Sequence, residues 1–206
     1  MGQPGPLPAA AHTAAEEEHD LALWSQVRSA DADALTALFD RHARAVYNFA
    51  FRRTASWSNA EDITQATFLT LWRRAAAGDL PELEHLTALP WLLGVADHEH
   101  RGIYRSLMRR RRLQVRLEGV HDHTSEDPAE AVTDRLDDER RMAAVRRAVS
   151  VLPTHQRIVV ELVVWSHLTT KEAAAALGVA EGTVKSRLSR ARTRLGLQLD
   201  QPEEER

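Results

Sequence analysis

The sequence predicts an all-α chain in which two helical domains are joined by a flexible acidic linker, with a helix-turn-helix in the second domain. Apolar residues recur at steps of three and four along most of the chain, which is the helical period. The β-branched run at residues 158–165 has no second such run with which it could pair as a strand. Charge is also segregated: residues 101–116 contain seven arginines and no acid, whereas residues 118–139 contain nine acids and one arginine.

The charge boundary and the turn residues divide the chain into five predicted parts. The first fifteen residues are rich in Pro, Gly and Ala and offer little to bury, which is typical of disorder. The acidic stretch with Gly119 and Asp127-Pro128 is typical of a flexible linker. The parts are a disordered tail at 1–19, a first domain at 20–112, the linker at 113–138, a second domain at 139–199 and an acidic tail at 200–206.

Composition excludes several classes of protein. The chain has no cysteine, so a disulfide scaffold, a thiolate zinc site and a thiol redox switch are excluded. A net charge of −3 gives no global basic excess. No apolar run reaches the length of a membrane span, and no basic segment followed by an apolar core opens the chain. We therefore expect a cytoplasmic protein without membrane contact.

Four helices are predicted in the first domain. The first lies at about 21–28. The second starts near Ala32 and carries an apolar stripe. The third, at 58–76, would begin with a capping box of Ser58 and Glu61. The fourth starts at Trp91. The stripe of the second helix is Leu35, Leu38, Phe39, His42, Val46, Phe49 and Ala50, in which we interpret His42 as a packed residue and not as a ligand.

The exposed face of the fourth helix is basic. Arg101, Arg105, Arg109 and Arg112 recur nearly every four residues, which is a spacing suited to tracking phosphates in a salt-dependent way. Trp91 offers a flat surface on which an unpaired base can stack, although it equally suits a core position. His98-Glu99-His100 is not predicted to bind a metal, because side chains this close in a helix point in different directions.

Residues 169–195 predict the helix-turn-helix. Thr169 and Glu172 form a capping box, and Gly178 suits the left-handed end of the first helix. The second helix starts near Glu181 and buries Val184, Leu188, Ala191 and Leu195 on one face. Its other face holds five basic residues and one acid. A DNA-reading helix fits this pattern better than a helical hairpin with a merely solvated face.

Three stretches carry a resemblance to a known family. Residues 169–195, with the lead-in Leu152-Pro153, resemble the C-terminal DNA-binding domain of bacterial sigma factors, and are most similar to the extracytoplasmic-function (ECF) group of the sigma-70 family. Residues 60–72, AEDITQATFLTLW, resemble the helix with which that family docks on RNA polymerase. WLLGVA at 91–96 resembles the family's WLLGIA. The chain departs from the family at His98, where asparagine is usual, and at Gly102, where Asn or Asp is usual.

The resemblance implies a transcription initiation subunit with three functional surfaces. Asp62, Gln65 and Leu69 would contact the β′ clamp of core RNA polymerase. The −10 promoter element would be held by Trp91, His98, Arg101 and Arg105, beside a loop at 77–90 that receives a flipped base in the family. The −35 element would be read by Thr183, Lys185, Ser186, Arg187 and Arg190. The implied partners are core polymerase, through its β′ clamp and β flap, promoter DNA and, as is common in the group, an anti-sigma factor.

Two other classes of function were weighed. A helix-turn-helix regulator that is not a polymerase subunit would carry a different first domain, such as a parallel α/β receiver with buried strands. Residues 20–112 show helical periodicity instead. An enzyme is not predicted, because the chain has no phosphate-binding glycine loop, G-x-S-x-G elbow or spaced metal ligands. We therefore expect no catalytic residue, cofactor or metal. The charge segregation also suggests that the free chain holds its two domains together, with the acidic linker over the basic helix.

Overall fold

The computed structural model describes the backbone of residues 14–117 and 131–199, and the side chains of residues 19–105 and 136–196. Within these ranges every regular element is a helix, so the predicted all-α class is confirmed. A π-helical turn, Glu161–Trp165, continues the sixth helix. The helices are α1 (Ala14–Arg28), α2 (Ala32–Thr54), α3 (Trp57–Ala76), α4 (Leu89–Leu117), α5 (Ala131–Val149), α6 (Thr154–Val160), α7 (Thr170–Leu177) and α8 (Glu181–Leu199).

The first four helices form one helical unit around α2. This helix packs against α1, α3 and α4. Asp31 starts it by accepting hydrogen bonds from the amides of Asp33 and Ala34, and Ala55 ends it with a left-handed φ of 50°. The core is aliphatic and aromatic, as its periodicity predicts. Its largest fully buried side chains are Val27, Leu38, Val46, Phe49, Ile63, Leu71, Leu92 and Leu93, together with His42.

A buried carboxylate, Asp20, joins three parts of this unit. It lies in α1 and is 1% exposed. Its oxygens accept hydrogen bonds from Arg41 at 2.8 Å and from His42 at 2.7 Å, both in α2. They also accept from the Thr87 hydroxyl and the Ala88 amide, each at 2.9 Å, just before α4. His42 is therefore the packed core residue that we predicted.

The second unit contains the predicted helix-turn-helix. Thr169 and Glu172 form the expected capping box at the start of α7, and Gly178 ends that helix with a φ of 61°. Val184, Leu188 and Ala191 of α8 are buried, and Leu195 packs against the same core. Residues 158–165 are helical despite their β-branched content, because α7 and α8 surround them with helical neighbours.

Three details differ from the predictions. The N-cap of α3 is Ser56 and not Ser58, since the Ser56 hydroxyl accepts from the Asn59 amide at 3.4 Å. Phe39, which we predicted to be buried, is 41% exposed and lies at a surface groove. Helical spacing predicts that Met142, Val145, Ala148 and Val149 face inward on α5, but Val145 and Ala148 are exposed, because only the end of this helix near Val149 enters the core.

Helix also extends into segments for which none was predicted. α1 begins at Ala14, inside the predicted tail of 1–19, while α4 continues to Leu117 and α5 begins at Ala131, both inside the predicted linker of 113–138. Neither Gly nor Pro follows Arg112 until Gly119, so nothing ends α4 at the predicted boundary. Residues 1–13, 118–130 and 200–206 lie outside the described residues. They include the rest of the predicted tails and of the predicted linker. The predicted contact of the acidic linker with the basic helix therefore also lies outside the described residues.

Candidate nucleic-acid interface

The exposed side of α8 gathers four of the five residues predicted for the −35 element. At about 100° per residue, Thr183, Ser186, Arg187 and Arg190 occupy about 100° of the helix circumference, an arc that excludes the buried Val184 and Leu188. Thr183 and Arg187 are half-buried, whereas Ser186 and Arg190 are exposed. The Ser186 hydroxyl donates to the Thr183 carbonyl at 3.0 Å, which holds it against the helix. We call these four residues the α8 surface.

Lys185, the fifth predicted residue, lies apart from the α8 surface. Its ammonium group is 2.8 Å from the Glu181 carboxylate, one turn earlier. Glu181 also accepts a hydrogen bond from the Thr170 hydroxyl of α7 at 2.7 Å. The bonds from Lys185 and Thr170 lower the pKa of Glu181. Lys185 therefore helps to fix the angle between α7 and α8, and the structure does not bring it together with the other four.

The four residues predicted for the −10 element form one stripe along α4. At 100° per residue, Trp91, His98, Arg101 and Arg105 fall within about 80° of the helix circumference. His98, Arg101 and Arg105 are exposed, and Arg101 pairs with Asp97 on its own helix. Three exposed side chains with at least two positive charges suit a phosphate backbone. We call these four residues the α4 stripe.

Trp91, at one end of the α4 stripe, is partly packed and partly accessible. It is half-buried, and its ring meets Trp24 edge-on with the ring centroids 5.1 Å apart. The Arg74 guanidinium lies 5.9 Å from the centroid of Trp91. Trp24 donates to the Pro81 carbonyl at 2.8 Å, which ties the 77–90 loop to this cluster. An aromatic ring that is held at its edge and flanked by a cation is suited to stacking with a base.

The residues predicted for polymerase contact form a third surface, on α3. Asp62, Gln65 and Leu69 are all exposed and fall within about 60° of the helix circumference. Gln65 also lines an apolar groove of about 310 Å³. An exposed aliphatic side chain next to an apolar groove is typical of a protein docking site. We call this surface the α3 groove, and its lining is Phe39, Ala43, Arg44, Tyr47, Glu61, Thr64 and Gln65.

The sequence reasoning missed the α2 side of the α3 groove. Phe39 and Tyr47 come from α2, and Phe39 meets Phe68 of α3 edge-on with ring centroids 4.8 Å apart. Phe39 was placed in the buried stripe because its spacing is helical. Its neighbours on the helix, Thr36 and Asp40, are polar, however. Their polarity indicates in the sequence that this edge of the stripe is exposed to solvent.

Neither a metal site nor a membrane span is found in the part of the chain that the structure describes. Its His, Asp and Glu side chains form no group of three or more that could hold an ion. None of its helices combines the length and the apolar character that crossing a bilayer requires.

Comparisons with known proteins give matches to both helical units of the chain. The chain matches two family models, Sigma-70 region 2 over residues 38–113 and Sigma-70, region 4 over residues 142–195. It is 30% identical over 189 residues to the ECF RNA polymerase sigma factor SigL of Mycobacterium tuberculosis (strain ATCC 25618 / H37Rv), covering 88% of this chain and 97% of that protein. It is 32% identical over 155 residues to the RNA polymerase sigma factor HrpL of Pseudomonas syringae pv. syringae, covering 74% and 79%.

Two solved structures share the fold. CnrH, in complex with the cytosolic domain of CnrY, is 25% identical, with a TM-score of 0.62 and coverage of 88% of this chain and 97% of that one. The sigma factor RpoE from Bartonella quintana, in complex with the anti-sigma factor NepR, is 27% identical, with a TM-score of 0.50 and coverage of 79% and 96%.

Proposed function

The chain belongs to the ECF group of the sigma-70 family of RNA polymerase sigma factors, and on that premise we propose that its three exposed surfaces divide the work of promoter-specific initiation. A sigma factor acts with core RNA polymerase and promoter DNA. In our assignment, α1–α4 form the domain that docks on polymerase and captures the −10 element. Helices α5–α8 form the domain that reads the −35 element.

The α3 groove is our candidate for docking on the β′ clamp of core polymerase. Leu69 is 46% exposed and lies one helical turn after Gln65, which lines the groove together with Phe39 and Tyr47. Asp62 and Gln65 flank it with polar groups. An apolar centre with a polar edge is the usual anatomy of a protein interface, in which a few central side chains supply most of the affinity.

The observation that carries the proposal is that the α4 stripe and the α8 surface lie on separate helical units and bear the groups that each task needs. The α4 stripe combines a partly accessible indole with cationic groups, which suits an unpaired strand. The α8 surface combines hydroxyls and guanidinium groups on one side of a recognition helix, which suits base edges and phosphates in a major groove. We propose both as DNA contacts.

The protein itself has no reaction to catalyse under this proposal, because polymerase supplies the chemistry. Because it would work on promoter DNA with polymerase, we propose that the chain acts in the bacterial cytoplasm. The two related structures contain a sigma factor bound to CnrY or to an anti-sigma factor, and we propose that an anti-sigma protein binds this chain too. A helix-turn-helix regulator that acts without polymerase is not favoured, since the region 2 match covers the first domain.

The test is run-off transcription with purified bacterial core polymerase on a library of promoter fragments, with and without the protein. We expect initiation at defined fragments only when the protein is added, and those fragments would reveal the −35 and −10 sequences together. If core polymerase neither binds the chain nor gains specificity, the assignment of the α3 groove fails.

A further inference from the structure

Helix α1 holds the start of the loop that precedes α4. The Trp24 indole N–H donates a hydrogen bond to the Pro81 carbonyl at 2.8 Å. Arg28, one turn later in α1, donates from Nε to the Leu80 carbonyl at 3.1 Å, and its Nη1 lies 3.1 Å from the Glu82 carboxylate. Two consecutive carbonyl groups of the loop therefore accept hydrogen bonds from two side chains of α1.

The same helix holds the end of this loop. Asp20 accepts hydrogen bonds from the Thr87 hydroxyl and the Ala88 amide, each at 2.9 Å. Thr87 and Ala88 are 5% and 0% exposed, so this end is packed into the core. Between the two ends, residues 83–86 form a short tip, in which Leu86 is 54% exposed.

The three side chains of α1 that hold the loop follow one another at intervals of four residues. Asp20, Trp24 and Arg28 therefore lie along one face of the helix. Residues 79–88, all of which the structure describes, are neither helix nor strand. Because regular backbone pairing does not fix the shape of this segment, its shape depends on the side chains that bond to its backbone. We call Trp24 and Arg28 the α1 clamp.

The α1 clamp also contacts the α4 stripe. The Trp24 ring packs edge-on against Trp91, in an arrangement that aromatic pairs favour. Trp24 is only 3% exposed and cannot itself meet DNA, whereas Trp91 is half-buried and keeps an accessible part. Trp24 therefore joins, through one side chain, the ring that we assign to base stacking and the loop beside it.

Stacking on Trp91 cannot by itself select a base. Every base has a flat face, so stacking on an aromatic ring tolerates any sequence. Selection needs hydrogen-bonding groups at a fixed place beside the ring. The loop tip carries such groups on Glu84, which is exposed, and on His85, which is half-buried. A tip that moved freely would lose ordering entropy on binding and would discriminate less between bases.

We propose that Trp24 and Arg28 are positioning residues for the −10 element, which fix the loop tip beside Trp91 so that the tip reads the strand that Trp91 stacks. The α1 clamp touches no DNA and acts through the loop. Base preference at the −10 element therefore depends on two side chains of α1. This inference rests on the proposed −10 assignment of the α4 stripe.

The first variant is Trp24→Phe, which keeps an aromatic ring against Trp91 and removes the hydrogen bond to Pro81. Pro81 is exposed, so water can replace the lost donor and the variant should fold. Trp72→Phe, at a half-buried tryptophan of α3, is the matched control. Arg28→Met is a second clamp variant, and it also should fold because the Arg28 side chain is 40% exposed.

Two measurements are made on these variants. The chain has no cysteine, so a spin label on Glu84→Cys reports the nanosecond motion of the loop tip in the free protein. Separately, without the label, run-off transcription with core polymerase compares a promoter fragment that the wild-type protein selects with its single-base variants in the −10 and −35 elements. Urea midpoints show whether any variant is globally destabilised.

We expect Trp24→Phe and Arg28→Met to increase the motion of the label and to lower the discrimination between bases at a −10 position by about tenfold. Preferences at the −35 element should stay as in the wild type, and Trp72→Phe should change neither measurement. Unchanged label motion in both clamp variants would overturn the clamp. Increased motion with an unchanged −10 preference, or an equal loss of transcription on every fragment, would overturn its role in recognition. A wild-type protein that directs no initiation would overturn the proposed function instead, and the label motion distinguishes that failure from a failure of the clamp.

Discussion

The guanidinium of Arg53 lies 2.9 Å from the Glu161 carboxylate of the other helical unit, and it lies 2.9 Å from Asp97 of its own unit. One cation thus faces two buried carboxylates. Burial raises the pKa of Glu161, and the positive charges of Arg53 and Arg157 offset only part of this effect. The Arg53 charge therefore favours the ionised form of Glu161.

Replacing Arg53 by methionine should destabilise the protein strongly. The side chain keeps its approximate length, but two buried carboxylates lose their shared cation, and breaking a buried pair in this way costs about 3–5 kcal/mol. We expect the urea midpoint, followed by tryptophan fluorescence and circular dichroism, to fall accordingly. Arg53→Lys keeps the charge and loses the planar guanidinium. Its urea midpoint should therefore lie between those of the wild-type protein and Arg53→Met. An unchanged midpoint for Arg53→Met would contradict the role of this ion pair.

Local signals in the sequence predicted both ends of α7, whereas at the start of α3 a distant contact adds to the local cap. The capping box of Thr169 and Glu172 and the C-terminal Gly178 each act within one helical turn. The local sequence is therefore sufficient to predict both ends of this helix. At α3 the same reasoning favoured Ser58. The helix begins at Trp57 instead, where the amide of this residue donates to the Glu139 carboxylate at 2.8 Å. Glu139 is 82 residues away, and no local pattern contains it.

Asp20 should make stability depend on pH in the acid range. Burial by itself would raise its pKa, but the hydrogen bond and charge of His42 and the bonds from Ala88 and Thr87 lower it to about 2, from an ordinary 3.8. Because the folded value is the lower one, the stabilisation is complete above pH 3.8 and is lost as pH falls towards 2. The difference corresponds to about 2 kcal/mol at neutral pH.

We therefore expect Asp20→Asn to lower the free energy of unfolding by about 2 kcal/mol at pH 7, and by much less at pH 2. Urea titrations at a series of pH values would measure this difference. Asp40→Asn, on the exposed side of α2, is the control and should stay near the wild type throughout. A deficit for Asp20→Asn that does not change with pH would show that its charge is not the source of the stabilisation.

Leu69 should be the central residue of the polymerase contact. Leu69→Glu places a charge where an apolar side chain would be buried against the partner, so its affinity for core polymerase should fall at least about tenfold. Fluorescence anisotropy of the labelled protein, titrated with core polymerase, measures this. Leu86→Glu, at a leucine that is 54% exposed in the loop before α4, is the matched control and should bind normally. Equal losses for both variants would remove the α3 groove from the interface.

The site residues named from the sequence fall on one side of each of their helices, with one exception. The resemblance grouped Thr183, Ser186, Arg187 and Arg190, and helical geometry places these four on one side of α8. Lys185 was grouped with them because it is basic, although its position in the helical period already placed it elsewhere. Its bond with Glu181 depends on the contact of Glu181 with Thr170 across the turn between α7 and α8. The Lys185–Glu181 contact therefore depends on the packing of α7 against α8, which the spacing within α8 alone does not show.

Arg190 should contribute to DNA binding through a phosphate or a base edge. Arg190→Ala should weaken binding to a duplex that the wild-type protein selects from a random pool. If the contact is to phosphate, the slope of log affinity against log salt should fall by about one. Arg192→Ala removes the same charge from the same helix, but it lies about 160° around the circumference, outside the α8 surface. Matching losses for the two variants would indicate that net charge, and not the α8 surface, determines binding. A loss confined to Arg190→Ala, with an unchanged salt slope and relaxed preference at one base pair, would instead assign Arg190 to base readout, since only a base contact carries sequence information.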